Sequence, residues 1–180
     1  MPSSADDASL PRPTLEERVL ALRERLQGYI ATMVADWTSA QDLCQETMLR
    51  ALDRLATLRD EGRLEAWTWA IAVNVCRAHL RRAVQDEKSL DFDPVSRRGS
   101  VLSSIVRRES AAALAVAIDR LPILLREAFV LRDVERMPYT EMAEITGACE
   151  GALQVRVHRA HALLRRQLGP LLDPIWSGEA

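Results

Sequence analysis

The residues best suited to chemistry with another molecule are the basic side chains that follow Gly151. One predicted helix carries them against a single acid at its start, Glu150: Arg156, His158, Arg159, Arg165 and Arg166. Guanidinium groups form forked hydrogen bonds to phosphate and to guanine. A shorter helical run at residues 140–145 precedes them and stops at Gly147. Two short helices joined by a tight glycine-containing turn, the second one basic, form a helix-turn-helix, whose second helix enters the major groove of DNA.

The faces of this last helix divide its roles. Its apolar positions fall on one side and predict packing against the preceding helices: Leu153, Val157, Ala160 and Leu164. The DNA-binding candidates lie around the rest of the helix: Gln154, Arg156, His158 and Arg159. A basic, solvated amphipathic helix would show the same pattern, so spacing alone leaves that alternative open.

A second candidate surface lies in a mostly apolar helix predicted at residues 64–82. Two apolar stripes flank a narrow polar strip at helical spacing, formed by Asn74, Arg77 and Arg81 and ending in Arg82. An amide and several guanidinium groups in register suit a nucleic-acid strand, with the amide on a base and the arginines on phosphate. The same arginines could instead extend from the edge of a core into water. Periodicity leaves both interpretations open.

A third surface is predicted on a helix that begins with a capping-box pattern at Ser39. Its core face holds Cys44, Met48, Ala51, Leu55 and Leu58. The opposite side presents a leucine among polar and acidic residues: Asp42, Gln45, Glu46, Leu49 and Asp53. This stripe is interpreted either as a docking surface for a basic partner or as an ordinary solvated face.

The composition, and the positions of proline, glycine and polar residues that interrupt helices, predict an all-α protein of two small helical domains joined by a flexible linker. Apolar residues make up 48 % of the 180 residues and aromatic residues only 4 %, which favours helices. We predict a loose N-terminal tail at 1–13, a helical domain at 14–83, a linker at 84–107, a helix-turn-helix domain at 108–168 and a C-terminal tail at 169–180. The net charge of −2 excludes a protein that coats nucleic acid by general basicity.

Other chemistries find little support. The three cysteines, Cys44, Cys76 and Cys149, are too scattered for a zinc site or a disulfide framework, and His158 and His161 suit a surface. Convergent acids and a glycine-rich phosphate loop are missing, so we expect no enzyme, no catalytic residue, no metal and no cofactor. No apolar run reaches the roughly 18 residues that cross a membrane, and we expect a cytoplasmic protein.

Four motifs in order carry a resemblance to a known family. The stretch DLCQETMLRAL at residues 42–52 resembles the polymerase-binding helix of extracytoplasmic-function sigma factors. AW at 66–67 with IAVNVCRAHLRR at 71–82 resembles their promoter-melting region. LP at 121–122, REAFVLR at 126–132 and YTEMAEI at 139–145 are similar to the start of their C-terminal domain, and VHRA at 157–160 to its recognition helix.

The resemblance implies a role for each surface. Asp42, Gln45, Glu46 and Leu49 would bind the clamp helices of the largest subunit of RNA polymerase. Asn74, Arg77, Arg81 and Arg82 would engage the −10 element, with the loop at residues 57–63 holding a flipped base. The C-terminal domain would bind the −35 duplex and the flap of the second-largest subunit. An anti-sigma protein would hold the factor inactive.

The turn departs from the family pattern, because Cys149-Glu150-Gly151-Ala152 replaces the usual proline, apolar residue, glycine and threonine. Two other classes of protein therefore remain alternatives. One is a sigma-like decoy that binds an anti-sigma protein without acting on DNA. The other is a plain helix-turn-helix regulator, which would leave the stripe around Leu49 unexplained and would need a dimerisation element.

Overall fold

The computed structural model describes residues 13–34, 36–87 and 105–169, which form helices joined by short turns and include no strand. Four helices form the N-terminal group: α1 (Leu15–Ala21), α2 (Arg23–Val34), α3 (Trp37–Arg54) and α4 (Leu64–Glu87). Four form the C-terminal group: α5 (Ile105–Asp119), α6 (Ile123–Phe129), α7 (Tyr139–Thr146) and α8 (Glu150–Leu168). The all-α, two-part architecture predicted from sequence is confirmed.

The N-terminal group is built around the apolar faces of α2, α3 and α4. Its largest fully buried side chains include Leu26, Tyr29 and Trp69, and the Tyr29 and Trp69 rings meet edge to face at 5.5 Å. Cys44, Met48 and Ala51 are buried as the periodicity of α3 predicts. This core fixes which sides of α3 and α4 face outward.

Two boundaries differ from the sequence prediction. Helix α3 begins at Trp37 rather than near Ser39, because the Asp36 side chain accepts a 2.7 Å hydrogen bond from the Ser39 backbone N–H and caps the helix earlier. Helix α4 runs to Glu87 and α5 begins at Ile105, so both extend into the range 84–107 assigned to a linker. The remainder of that range lies outside the described residues, as do residues 1–12 and 170–180 of the tails predicted at 1–13 and 169–180.

The helices of the C-terminal group end at the turns that the sequence predicts, with one exception after α6. Pro122 precedes α6 as expected, but α6 ends at Phe129 and the chain continues through a wider π-type turn at Val130–Val134. Helix α7 ends at Gly147, whose φ of 71° is left-handed and whose N–H donates to the Ala143 carbonyl. Helix α8 then begins at Glu150, close to the position predicted from sequence.

The two helical groups pack directly on each other. Helix α4 lies along α7, while α2 touches α5, α6 and the π-type turn. Arg126 of α6 is buried and reaches across to the end of α2, where it donates to the carbonyl oxygens of Thr32 and Met33 at 3.4 and 3.2 Å. The carbonyls of a helix C-terminus have no partners within the helix, so Arg126 caps α2 from the other group.

Replacing Gly147 by Ala is expected to destabilise the fold by about 1 kcal/mol, because a Cβ is disfavoured at a left-handed residue. The matched control is Gly28→Ala in the middle of α2, where an added Cβ meets no atom within 4 Å and φ is not positive. That control is expected to raise stability by roughly 0.5–1 kcal/mol. Urea unfolding of both variants checks the prediction, and equal shifts would contradict it.

Candidate nucleic-acid interface

The helix-turn-helix presents its outer face as the sequence predicts. Leu153, Val157, Ala160 and Leu164 are buried against the C-terminal group. Gln154, His158 and Arg159 are exposed and Arg156 is half-buried. The structure therefore brings the four predicted duplex-binding residues to one accessible helix, with Val155 exposed among them.

The turn before α8 lacks a side-chain cap. Cys149 occupies the N-cap position in an extended conformation, and its side chain makes no capping hydrogen bond. Nearby, the Thr146 hydroxyl donates to the Met142 carbonyl at 2.7 Å and accepts from the Ala148 N–H at 3.3 Å. The first backbone N–H groups of α8 thus face outward without an internal acceptor, the arrangement in which helix N-termini bind phosphate.

His161, in contrast, is a packing residue. Its Nε2 lies 3.0 Å from an Asp133 carboxylate oxygen and its ring meets Phe129 edge to face. This contact ties α8 to the π-type turn. His161 therefore stabilises the C-terminal group, while His158 remains on its exposed face.

The polar strip of α4 is divided by the structure. Asn74, Arg81 and Arg82 are exposed. Arg77 is directed inward: its Nε and Nη2 donate to the two carboxylate oxygens of Glu127 at 2.9 and 2.6 Å, and its Nη1 donates to the Thr146 carbonyl at 2.9 Å. The hydrogen bonds to Glu127 raise the pKa of Arg77. Of the four predicted strand-binding residues, Arg77 is thus already occupied by the C-terminal group.

A cleft of about 360 Å³ lies beside the start of α4. It includes the loop that the resemblance assigns to a flipped base, and the half-buried Trp67 forms part of its wall. Glu144 of α7 also lines the cleft and pairs with Arg63 at 2.8 Å. The remaining lining residues are Thr57, Leu58, Arg59, Asp60, Ala66 and Ala70.

The outer face of α3 carries the predicted docking stripe. Leu49 is 62 % exposed and stands beside exposed Asp42 and Gln45, while Glu46 is half-buried and pairs with Arg50 one turn along. Trp37, at the start of the same helix, is 56 % exposed and was not among the predicted residues. Helix α3 thus carries two large exposed apolar side chains, Trp37 and Leu49, besides its exposed polar residues.

Three arginine–glutamate pairs between the helical groups were missed by sequence reasoning. Besides Arg77 with Glu127, they are Arg25 with Glu135 at 3.0 Å and Arg63 with Glu144 at 2.8 Å. Arg25 also pairs with Glu65 at 2.6 Å and lies over the Trp69 ring. The partners are far apart in sequence and obey no helical spacing, so no sequence pattern could have identified them.

Other site types are not found in the described part of the chain. Its residues include no group of three or more His, Cys, Asp or Glu side chains that could hold a metal ion. Nor do they include a helix long and apolar enough to pass through a bilayer.

Comparisons with known proteins agree with this geometry. The model of sigma-70 region 2 matches residues 19–85, and the model of sigma-70 region 4 matches residues 111–164. The chain belongs to the sigma-70 family, in its extracytoplasmic-function group. It is 28 % identical to the RNA polymerase sigma-H factor of Pseudomonas aeruginosa over 86 % of both chains. It is 34 % identical to the ECF RNA polymerase sigma factor BldN of Streptomyces coelicolor, over 78 % of this chain and 54 % of that protein.

Solved structures show the same fold. The sigma factor RpoE of Bartonella quintana, in complex with the anti-sigma factor NepR, matches with a TM-score of 0.71 and 23 % identity, over 86 % of this chain and 96 % of that one. Region 2 of the present sigma factor corresponds to α1–α4 and region 4 to α5–α8. Its partners are core RNA polymerase and promoter DNA.

Replacing Arg77 by Ala is expected to lower the free energy of unfolding by roughly 2 kcal/mol, because Glu127 is only 2 % exposed and would lose its forked partner. This is less than for a wholly buried pair, since the Arg77 side chain keeps 26 % exposure. The control is Arg81→Ala on the exposed side of α4, with an expected change within about 0.5 kcal/mol. Equal destabilisation in urea unfolding would show that the Glu127 contact contributes nothing.

Proposed function

We propose that this sigma factor binds core RNA polymerase through the outer face of α3 and directs initiation at specific promoters. The observation that supports this most directly is the stripe of Asp42, Gln45, Glu46 and Leu49, which projects outward while the inner face of α3 is closed by Cys44, Met48 and Ala51. A helix face with two carboxylates and one exposed leucine suits a basic helical partner in the polymerase clamp. A plain helix-turn-helix regulator has no use for such a surface.

Promoter melting is assigned to region 2. In this proposal Asn74 contacts a base of the non-template strand of the −10 element, while Arg77, Arg81 and Arg82 contact its phosphates. The cleft beside Trp67 receives one unstacked base, because an aromatic wall and nearby polar groups bind flipped bases in general. The domain limits proposed for this unit are 14–83.

Duplex recognition is assigned to region 4, proposed at residues 108–168. Gln154, Arg156, His158 and Arg159 lie on the outer face of α8, which would enter the major groove at the −35 element. The uncapped first turn of α8 offers backbone N–H groups to a phosphate. Region 4 would also contact the flap of the second-largest polymerase subunit.

The polymerase would supply both the catalysis and most of the DNA affinity, so the net charge of −2 is compatible with the role. The sigma factor itself would catalyse nothing and need no cofactor, and it would act in the cytoplasm, where polymerase and chromosome are. Solved relatives were crystallised with anti-sigma factors, among them RpoE with NepR and CnrH with the cytosolic domain of CnrY. An anti-sigma protein is therefore proposed as an inhibitor.

The experiment that tests this function adds the purified protein to core bacterial RNA polymerase with DNA from its own genome and maps the transcript ends. Discrete start sites preceded by a shared pair of sequence elements are expected. Polymerase binding without initiation would favour the decoy that only engages an anti-sigma protein. Failure to bind polymerase would overturn the proposed function.

Two substitutions separate the proposed steps. Leu49→Arg is expected to weaken core polymerase binding at least about tenfold, because a buried charge replaces an apolar contact at the interface. Asn74→Ala is expected to leave polymerase binding intact and to reduce promoter opening, measured by permanganate reactivity of unpaired thymines. Asn74 serves better here than Arg77, whose removal also disturbs Glu127.

The control for Leu49 is Leu20→Arg, the same change at a 51 % exposed leucine of α1, outside both proposed polymerase contacts. Polymerase binding equal to that of the unsubstituted protein is expected for this control. If Leu49→Arg binds polymerase normally, the docking surface lies elsewhere. If Asn74→Ala opens promoters normally, the assignment of the −10 contact is wrong.

A further inference from the structure

Three ion pairs join regions 2 and 4 among the described residues, and they share one direction. Region 2 supplies the cation and region 4 the carboxylate in each of them: Arg25 with Glu135 at 3.0 Å, Arg63 with Glu144 at 2.8 Å, and Arg77 with Glu127 at 2.6 Å. Arg126 of region 4 lies in the same interface, where it donates to the carbonyl oxygens of Thr32 and Met33. The ion-paired part of the contact thus sets carboxylates of region 4 against arginines of region 2.

The surface of region 2 that bears these arginines overlaps the proposed DNA surface. Arg77 belongs to the strip assigned to the −10 strand, and both carboxylate oxygens of Glu127 occupy its guanidinium group. Arg63 stands in the wall of the cleft assigned to a flipped base, where Glu144 of α7 pairs with it. Carboxylate and phosphate both accept paired hydrogen bonds from arginine in the same planar geometry. The glutamates of region 4 thus occupy arginines that a DNA strand would use.

The remaining functional surfaces stay accessible in the same arrangement. Leu49 on the polymerase-docking stripe is 62 % exposed, and Gln154, His158 and Arg159 on α8 are exposed. Exposed Asn74 and Arg81 also remain free to meet DNA at the edge of the contact. The packing of region 4 therefore blocks the centre of the −10 surface while leaving polymerase binding and −35 binding open.

The centre of the contact is buried, and its edge is partly exposed to solvent. Glu127 is 2 % exposed and Arg126 caps the end of α2, so the middle excludes water. At the edge, Arg63 and Glu144 keep 60 % and 51 % exposure. Arg25 keeps 44 %, while its partner Glu135 keeps only 9 %. Partly exposed ion pairs are weak and are screened by salt. Such an interface holds the regions together without preventing their separation.

We infer that the packing of region 4 on region 2 is an autoinhibitory contact, in which Glu127, Glu135 and Glu144 compete with the −10 strand for the arginines of region 2. The inference rests on the proposed role of Arg77 and of the cleft in promoter melting. Polymerase docks on α3 of the closed protein, and region 4 must leave region 2 before the strand can bind. Weakening these carboxylate contacts then speeds promoter opening without adding any DNA contact.

The test uses the full chain with a donor and an acceptor dye, one on each region. Cys149 of region 4 is exposed, whereas Cys44 and Cys76 are buried, and burial raises the pKa of the Cys76 thiol to about 12, which suppresses its labelling. Gly28→Cys supplies the second labelling site, at an exposed position of α2 where an added Cβ meets no atom within 4 Å. Energy transfer reports separation of the regions without polymerase or DNA.

The decisive variant is Glu135→Gln/Glu144→Gln, which removes the carboxylates that pair with the partly exposed Arg25 and Arg63 and leaves buried Glu127 in place. Its matched control is Glu16→Gln/Glu24→Gln, the same loss of charge at exposed positions of α1 and α2. The open population is expected to rise about three- to tenfold in the decisive variant, as for the loss of two partly exposed ion pairs, and to stay unchanged in the control. Raising the salt concentration should open the unsubstituted protein more than the variant.

Unlabelled proteins are then compared in the rate of promoter opening with core polymerase, where the decisive variant is expected to be faster by a similar factor. Unchanged energy transfer in that variant would overturn the inference, as would greater separation with no gain in rate. If the unsubstituted protein never starts transcription, the proposed function fails and the competition with DNA fails with it. The energy-transfer result would then still report on the contact itself.

Discussion

The fork between Arg77 and Glu127 is the interaction on which the arrangement of the two regions depends. It joins the middle of α4 to α6 and brings Arg77 within reach of the Thr146 carbonyl at the end of α7, so one side chain contacts two helices of region 4. Because Glu127 is almost fully buried, its charge requires a partner. Without Arg77, the buried carboxylate of Glu127 would have no cationic partner. A residue of the proposed DNA-binding strip therefore also contributes to the stability of the folded protein.

The surfaces proposed to bind other molecules are the helix sides that remain exposed when the opposite sides pack into the cores. Cys44, Met48 and Ala51 are buried on the inner face of α3, which packs toward α2 and α4. Leu49 lies on the opposite side of the same helix and is therefore exposed. In region 4, α8 buries Leu153, Val157 and Leu164, so Gln154 and Arg159 on its other side face solvent. A sigma factor needs rigid surfaces for a protein and for DNA, and packed helices hold both without a catalytic pocket.

Much of this could be predicted from the chain. Helical periodicity gave the buried faces of α3 and α8, and Gly147 marked the turn because only a residue without Cβ is comfortable at a left-handed φ. Helix ends were less predictable, since the cap that starts α3 is Asp36, three residues before the serine that suggested a start. The π-type turn after α6 has no local signature, because it depends on packing against α2 and α8.

The sequence by itself determined the helices, their inner and outer faces, the helix-turn-helix and the order of motifs, since each depends on residues a few positions apart. Only the tertiary structure decided that Arg77 would point at Glu127 and not at solvent, and that Glu144 would stand in the cleft beside Trp67. Those partners are separated by tens of residues in sequence, so their meeting depends on how two cores dock. Charge can be counted along a chain, but which charges neutralise each other is settled by packing in three dimensions.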